Sequence, residues 1–415
     1  MKFSSGRLHR WVSCIALVMF GLFAACTDSG DEGAAPGAAS VSLTDAPACG
    51  YEVVNVTVSK VRIHQSNSAN DNDAGWSEIT LNPPRTINLL DLNDPTQPNF
   101  ALEHLGETAL PAGHYTQLRL VLEENRGNQP TANWIVLEGQ DPNIPGNRIP
   151  LDTPSAVQSG LKLIHQFTVG SGQRVDLLLD FDACSSIVQT GNGKYKLKPV
   201  IRVIPFVLNG IEGFVDQALV GSNVVVSAQS NGQIVRATRP NATTAKFFLA
   251  RLAAGTTYTV VIAAPGHVTK VITGVPVPSE TSITAVSTAA ARITLATSAT
   301  HDIGGTVELL PQTDDETVFV AAKQTVGGGP VTVRFRPAAL TDGPLAGDFS
   351  YGLTLLPIDP PLLGAYSTLL PITFTAQPLV AGQYKVEASA AGYATQSFDK
   401  DISGSNQTQN FTLVP

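Results

Sequence analysis

Residues 54–63 read VNVTVSKVRI, and this stretch decides the fold class. Valine occupies every second position from Val54 to Val58, and polar residues stand between the valines. The phase then slips by one residue, so that the apolar positions resume at Val61 and Ile63. A period of two places successive side chains on opposite faces of a β-strand. The pattern therefore predicts a half-buried strand, and the slip predicts a β-bulge within it.

The same alternation returns at Leu118–Leu122 and at Val175–Phe181, and Asn192-Gly193 has the composition of a hairpin turn. The chain contains 36 Gly and 28 Pro, which favour strands joined by turns, and 43% hydrophobic residues, which are enough for packed cores. Its 415 residues leave room for about two to three domains. We therefore predict an all-β protein built from tandem β-sandwich domains.

The N-terminus has the features of an export signal. Lys2, Arg7 and Arg10 precede an apolar run from Trp11 to Ala25, which is shorter than the roughly 20 residues that span a bilayer. Residues 22–26, LFAAC, resemble the bacterial lipobox, in which the cysteine is lipidated after cleavage. We therefore predict a signal peptide at 1–25 and lipidation of Cys26. The alternative is an ordinary secretory signal with a chance cysteine.

Residues 26–39 are small, acidic and without periodicity, which predicts a flexible tether between the lipid and the first domain. In lipoproteins of this type, a residue other than Asp after the cysteine implies sorting to the outer membrane, and Thr27 occupies that position. Acyl chains on the cysteine would be sufficient for stable anchoring. The expected location is the bacterial cell envelope, with the membrane as a partner through the lipid.

Five phrases in residues 40–206 resemble the family called domain of unknown function 4382, and they occur in the family's order: Leu43–Pro47, Asn88–Leu92, Leu110–Leu120, Thr153–Lys162 and Leu179–Ile201. The resemblance predicts one β-sandwich domain over this range. It implies no activity, because the family is uncharacterised.

Cys49 and Cys184 occupy positions that are not usually cysteine in the family, and an even pair in an oxidising compartment predicts a disulfide. Two buried free thiols are the alternative.

The second half of the chain contains a repeated phrase. Leu252–Val260 closes one unit, and a similar phrase returns about 127 residues later at Leu379–Val386. Residues 207–298 resemble carboxypeptidase regulatory-like domains, which are sandwiches of the transthyretin or carbohydrate-binding-like type, and residues 299–415 are a second, divergent module. The phrase Leu-x-Ala-Gly also precedes Tyr115 in the first domain. We interpret its tyrosines as structural, as in a tyrosine corner: Tyr115, Tyr258 and Tyr384.

The sequence argues against two classes of function. The net charge is −8, and no basic stripe is present to bind the backbone of a nucleic acid. Sequence motifs of serine hydrolases, zinc proteases and P-loop nucleotidases are absent. Ser159 and Lys162 have the spacing of an acyl-transfer pair, but the companion motifs are missing. We therefore expect a protein that is not an enzyme.

One acidic cluster suggests a metal site. Asp180 and Asp182 are two residues apart on a predicted strand, and the predicted disulfide would bring Asp45 near the end of that strand. Carboxylates at strand ends suit Ca²⁺, so a structural Ca²⁺ site is one hypothesis. In the alternative interpretation, Asp45 opens a turn, Asp182 caps a short helix and Asp180 pairs with a basic side chain.

Trp76 and Trp134 each follow a polar loop, a placement that allows a stacking platform for sugars but is also common for core tryptophans.

The leading prediction is a non-enzymatic envelope binding module for a glycan or an envelope protein. The carbohydrate part rests on fold analogy alone. The alternatives are a structural stalk or protein-interaction scaffold, and a hydrolase without recognisable motifs.

Overall fold

The computed structural model describes residues 35–46, 50–92, 102–127, 131–153, 156–157, 159–190, 193–198, 200–204, 209–313, 316–341 and 348–415, with the Asp45 and Ala46 side chains excepted. Residues 35–415 form one compact unit. Nearly all regular structure in this part of the chain is β-strand, so the all-β prediction is confirmed. No described helix has the length and hydropathy needed to cross a bilayer.

The first domain contains twelve described strands: β1 (Gly37–Ala46), β2 (Tyr51–His64), β3 (Ser77–Asn88), β4 (Glu103–Leu110), β5 (Gly113–Leu122), β6 (Trp134–Leu137), β7 (Ile149–Asp152), β8 (Leu161–Val169), β9 (Arg174–Asp182), β10 (Ile187–Gln189), β11 (Tyr195–Leu197) and β12 (Ile201–Ile204). Its short helices are α1 (Ala183–Ser186) and two 3₁₀ turns at Leu89–Asp91 and Pro145–Asn147.

Two sheets pack face to face in this domain. One sheet has the order β12-β9-β1-β4, and the other has the order β10-β11-β7-β6-β2-β5-β8 with β3 also paired to β2. Strand β2 carries the stretch quoted above. Its register with both β3 and β5 shifts between Val58 and Lys60, so the predicted bulge is confirmed. The valines on either side of the bulge are fully buried because it restores the phase of the inward face.

The second module comprises β13 (Gly210–Phe214), β14 (Val225–Ser230), β15 (Gln233–Thr238), β16 (Lys246–Ala250), β17 (Thr256–Ala263), β18 (Lys270–Val277) and β19 (Ile283–Ala285), with a 3₁₀ helix at Gln217–Ser222. The third module comprises β20 (Thr300–Leu309), β21 (Phe319–Val326), β22 (Gly329–Pro337), β23 (Ala339–Leu340), β24 (Asp348–Pro357), β25 (Leu362–Ala365), β26 (Thr375–Ala376), β27 (Gln383–Ser389), β28 (Gln396–Asp401), β29 (Gln407–Thr408) and β30 (Phe411–Leu413), with a 3₁₀ helix at Pro378–Val380.

These two modules share a sheet. In the second module, β16-β13-β19 faces a sheet of order β15-β14-β17-β18-β25-β26, so two strands that follow β24 in the chain complete it. Strand β25 lies parallel to β18, and Ile372 beyond it packs in the second module's core. The third module's own sheets are β23-β24-β20-β29, with β30 beside β20, and β22-β21-β27-β28. The segment 362–376 therefore belongs structurally with residues 209–298.

The three tyrosines of the repeated phrase are buried, as their structural interpretation requires. The Tyr115 hydroxyl donates to the carbonyl of Pro111 at 2.8 Å, and the Tyr258 hydroxyl donates to that of Ala253 at 3.2 Å. Both bonds return to backbone four or five residues upstream, as in a tyrosine corner. The Tyr384 hydroxyl donates instead to Pro357 at 2.8 Å. Each tyrosine thus satisfies its buried hydroxyl; Tyr115 and Tyr258 tie a strand to the loop before it, and Tyr384 ties β27 to the end of β24.

Candidate functional site

Two predicted site residues fall wholly outside the described part of the chain. These are Cys26, the predicted lipid attachment site, and Cys49, the predicted disulfide partner. Cys184 lies in α1 and is buried. Ala46 at the end of β1 pairs with Asp182 at the end of β9. Cys49 follows Ala46 by three residues and Cys184 follows Asp182 by two, so both cysteines are close in sequence to a pair of neighbouring backbone positions. The disulfide stays a prediction that this register supports.

Asp182 and Asp180 take the roles that the alternative interpretation gave them. Asp182 caps α1, because its carboxylate accepts from the Ser185 amide at 2.9 Å and from the Ser185 hydroxyl at 2.8 Å. Asp180 is buried and pairs with Arg236 of the second module at 3.0 Å. The side chain of Asp45 lies outside the described residues, and the described residues contain no group of three metal-ligating side chains. The Ca²⁺ site therefore stays a prediction.

Both tryptophans are half-buried and carry arginine over the ring. The Trp76 indole lies under Arg62 and Arg119, whose guanidinium carbons are 4.4 and 4.9 Å from its centroid, and its Nε1 donates to the carbonyl of Asn70. Arg148 covers Trp134 at 4.6 Å. These cation–π contacts hold neighbouring loops against the sheet. The arrangement favours a structural role, and sugar stacking at either residue stays a prediction.

The described contacts instead point to the junction where the first domain meets the two modules. Asp180 on β9 pairs with Arg236 on β15. Burial raises the pKa of Asp180, because the cost of desolvating its carboxylate exceeds the attraction of Arg236. Nearby, the guanidinium of Arg251 donates to the Thr44 hydroxyl at 2.8 Å, and burial lowers its pKa to about 10. Charges of the first domain and the second module thus meet in a desolvated contact.

Glu138 connects all three parts of the chain. It follows β6 in the first domain, and its carboxylate lies 3.7 Å from Arg239 of the second module and forms a short ion pair with Arg336 on β22 of the third. Arg239 also pairs with Glu52 at 2.9 Å. Because the Glu138 side chain is only 11% exposed, its attraction to both guanidinium groups is weakly screened. Moving any of the three parts away would separate buried charges.

A cavity of about 200 Å³ lies beside these ion pairs. Its wall includes α1 and Glu138 of the first domain, strands β14 and β15 of the second module, and strands β21 and β22 of the third. Lys323 lines it and pairs with Glu387 at 2.6 Å. The wall combines guanidinium and carboxylate groups with the stacked rings of Phe319 and Phe335. Such a wall can bind a small polar molecule that also has an apolar part.

Sequence reasoning missed this junction. Its ion pairs join residues 56 to 198 positions apart, so no local pattern reveals the partners. One local signal exists in β22, where Arg334 and Arg336 are two residues apart and therefore share a face of the strand. Such a pair marks a charged face of β22, and only the packing of the modules shows what that face meets.

Comparisons with known proteins give distant structural similarities. The major pilin SpaA of Corynebacterium diphtheriae aligns with 10% identity over 91% of this chain and 100% of its own, with a TM-score of 0.17. BcpA, the major pilin subunit of Bacillus cereus, aligns with 8% identity over 91% of this chain and 99% of its own, with a TM-score of 0.15. Scores this low do not establish a common arrangement.

Comparison with curated proteins found no match. The family comparison gives one match, and it falls on the first domain. This confirms the resemblance predicted for residues 40–206: residues 36–199 match the family model described as domain of unknown function DUF4382.

Proposed function

We propose that this protein is a non-enzymatic scaffold of the bacterial cell envelope, anchored by lipid at Cys26, that presents its DUF4382 domain in a fixed orientation. Glu138 is the observation that carries the proposal, because one buried carboxylate of that domain is shared between Arg239 and Arg336 of the two following modules. Tandem domains joined only by linkers move relative to one another by default. A shared carboxylate opposes such motion, since a shift of one part that broke an ion pair without admitting water would leave an unpaired, desolvated charge.

Contacts between the two modules support the same proposal. Val261 and Val271 of the second module form an apolar cluster with Val326 and Val331 of the third. The pairing of β25 with β18 adds backbone hydrogen bonds across the same boundary. We infer that residues 207–298, completed by the segment 362–376, and the remainder of residues 299–415 are carboxypeptidase regulatory-like sandwiches used here as rigid supports. A partner protein or glycan of the envelope would then bind a surface whose orientation is set.

Calorimetry of the mature chain tests the scaffold. We expect the wild-type first domain and modules to unfold together in one transition. Glu138→Gln should separate the transitions and lower the free energy of unfolding by about 3–5 kcal/mol, because Arg336 loses its carboxylate partner and Arg239 keeps only Glu52. Glu107→Gln is the matched control: Glu107 pairs with Arg174 at an exposed site, so its loss should change stability by less than about 1 kcal/mol. Separate wild-type transitions, or equal effects of the two variants, would contradict the proposal.

The anchor has its own test. Intact-mass spectrometry of the membrane-extracted protein should show a chain that begins at Cys26 and carries acyl chains. Cys26→Ser should appear in the aqueous fraction, because no acyl chain would hold it to the bilayer. A wild-type chain that is cleaved elsewhere and carries no lipid would refute this part of the proposal while leaving the rigid junction unaffected.

A further inference from the structure

The cationic side chains in the cavity wall differ in their partners. Lys323 is paired with Glu387, and Arg239 and Arg336 share Glu138. Arg334 has no carboxylate partner within the described part of the chain, and its hydrogen bond is a long one of 3.3 Å to the carbonyl of Thr354. Arg334 is half-buried, and desolvation together with nearby Arg336 lowers its pKa to about 10, against the opposing attraction of Glu138. A partly desolvated guanidinium that forms no ion pair of its own is costly.

Two further donors at the same place lack acceptors. The Nε atoms of Arg239 and Arg336 are buried and have no hydrogen-bond partner among the described residues. Both residues line the cavity together with Arg334. Buried N–H groups are nearly always satisfied in folded proteins. Two guanidinium groups with unsatisfied Nε donors, and Arg334 with a single long hydrogen bond, therefore line a space of about 200 Å³.

From this geometry we propose that the junction cavity binds a small organic carboxylate, with Arg334 as its main charged contact. A guanidinium pairs with a carboxylate through two parallel N–H···O bonds, and Arg334 forms no ion pair within the described part of the chain that would compete for its N–H groups. The stacked Phe319 and Phe335 rings, 5.0 Å apart, supply an apolar wall for the ligand's body. The volume is below the roughly 300–1,000 Å³ of pockets for drug-sized ligands, which limits the body to about one ring.

Asp182 and Glu387 also line the cavity, and both carboxylates are occupied: Asp182 accepts from Ser185 at the start of α1, and Glu387 binds Lys323. Their negative charges would repel a second negative charge on the ligand. Inorganic phosphate, which is mostly a dianion above pH 7, has no apolar part and would meet these carboxylates. The site should therefore prefer an organic monocarboxylate to phosphate.

The test is titration calorimetry and thermal melting of the mature, unlipidated chain at pH 8 and constant ionic strength, with sodium benzoate, sodium glucuronate and inorganic phosphate as probes. We expect one of the two carboxylates to bind saturably and to raise the melting temperature. Phosphate should shift it less. Failure of both carboxylates, or an equal response to phosphate, overturns the proposal.

Variants then assign the contact. Arg334→Met keeps the apolar stem and removes the charge, so the unliganded melting temperature should stay the same or rise, while carboxylate affinity falls at least about tenfold. Arg334→Lys should bind with intermediate affinity, because a lysine keeps the charge and loses the bidentate geometry. Arg174→Met, at an exposed arginine on β9, is the control and should bind like wild type. Undiminished binding by both Arg334 variants overturns the assignment. If Arg334→Met fails to fold, Arg334→Lys decides it.

Discussion

Asp176 and Asp180 are two carboxylates on one strand whose surroundings are opposite. Asp176 is half-exposed and pairs with Arg174 two residues away, whereas Asp180 is buried and pairs with Arg236 from another module. Period-two spacing makes them equivalent in sequence. Solvent screens the Asp176–Arg174 pair and weakens its attraction. Loss of Asp180, in contrast, would leave the Arg236 guanidinium desolvated and unpaired.

Replacing each residue with alanine measures this difference. Asp180→Ala should lower the free energy of unfolding by about 3–5 kcal/mol, because Arg236 then keeps its burial without its counter-charge. Asp176→Ala on the same strand should cost less than about 1 kcal/mol. Urea denaturation of both variants is the measurement. Similar losses in the two variants would show that the junction pair contributes no more than a surface pair.

At the scale of the element, β20 shows how strand packing distinguishes two adjacent glycines. A Cβ on Gly305 would overlap the carbonyl oxygen of Gln409, while a Cβ on Gly304 would lie 3.4 Å from the carbonyl oxygen of Tyr351. Strand β20 pairs with β24 on one side and with β29 and β30 on the other, so its backbone has little freedom to retreat. The need for glycine at position 305 therefore comes from close approach of the backbones.

Alanine at each glycine tests this packing. Gly305→Ala should destabilise the protein by about 1–3 kcal/mol, because the added methyl group pushes β20 away from residue 409. Gly304→Ala should be neutral to within about 0.5 kcal/mol. Thermal melting of both variants is sufficient to compare them. A larger loss for Gly304→Ala than for Gly305→Ala would contradict the packing argument.

Across the whole molecule, several tyrosines couple stability to alkaline pH. Burial raises the pKa of Tyr51, Tyr351 and Tyr384 above the usual value of 10.0. A raised pKa means that the folded protein keeps the proton at a pH where the unfolded chain has lost it. Each tyrosine therefore contributes its full stabilisation below pH 10, and loses it progressively as the pH rises above 10.

The free energy of unfolding should consequently fall above pH 10, by up to about 1.4 kcal/mol per pH unit for each such tyrosine. Denaturation from pH 8 to pH 11 measures the slope. Tyr384→Phe should be less stable at pH 8, because its hydrogen bond to Pro357 is lost, but should show a shallower decline above pH 10. Parallel curves for the variant and wild type would exclude Tyr384 from the effect.

Local patterns in the sequence determined the all-β class, the bulge in β2 and the tyrosine corners at Tyr115 and Tyr258. Each of these depends on residues only a few positions apart, since strand alternation, bulges and tyrosine corners are short-range features. The role of Asp182 as a helix cap is of the same kind, because its partner Ser185 is three residues away.

Only the tertiary structure decided the junction. Glu138 meets Arg336 across 198 residues, and β25 joins the sheet of the preceding module. An arginine on a strand has the same local sequence signature whether it faces water or a carboxylate of another module. Its partner is selected by the packing of whole sheets, and that packing depends on surface complementarity between distant segments. The ion pairs and the cavity beside them therefore follow from how the three parts of the chain assemble.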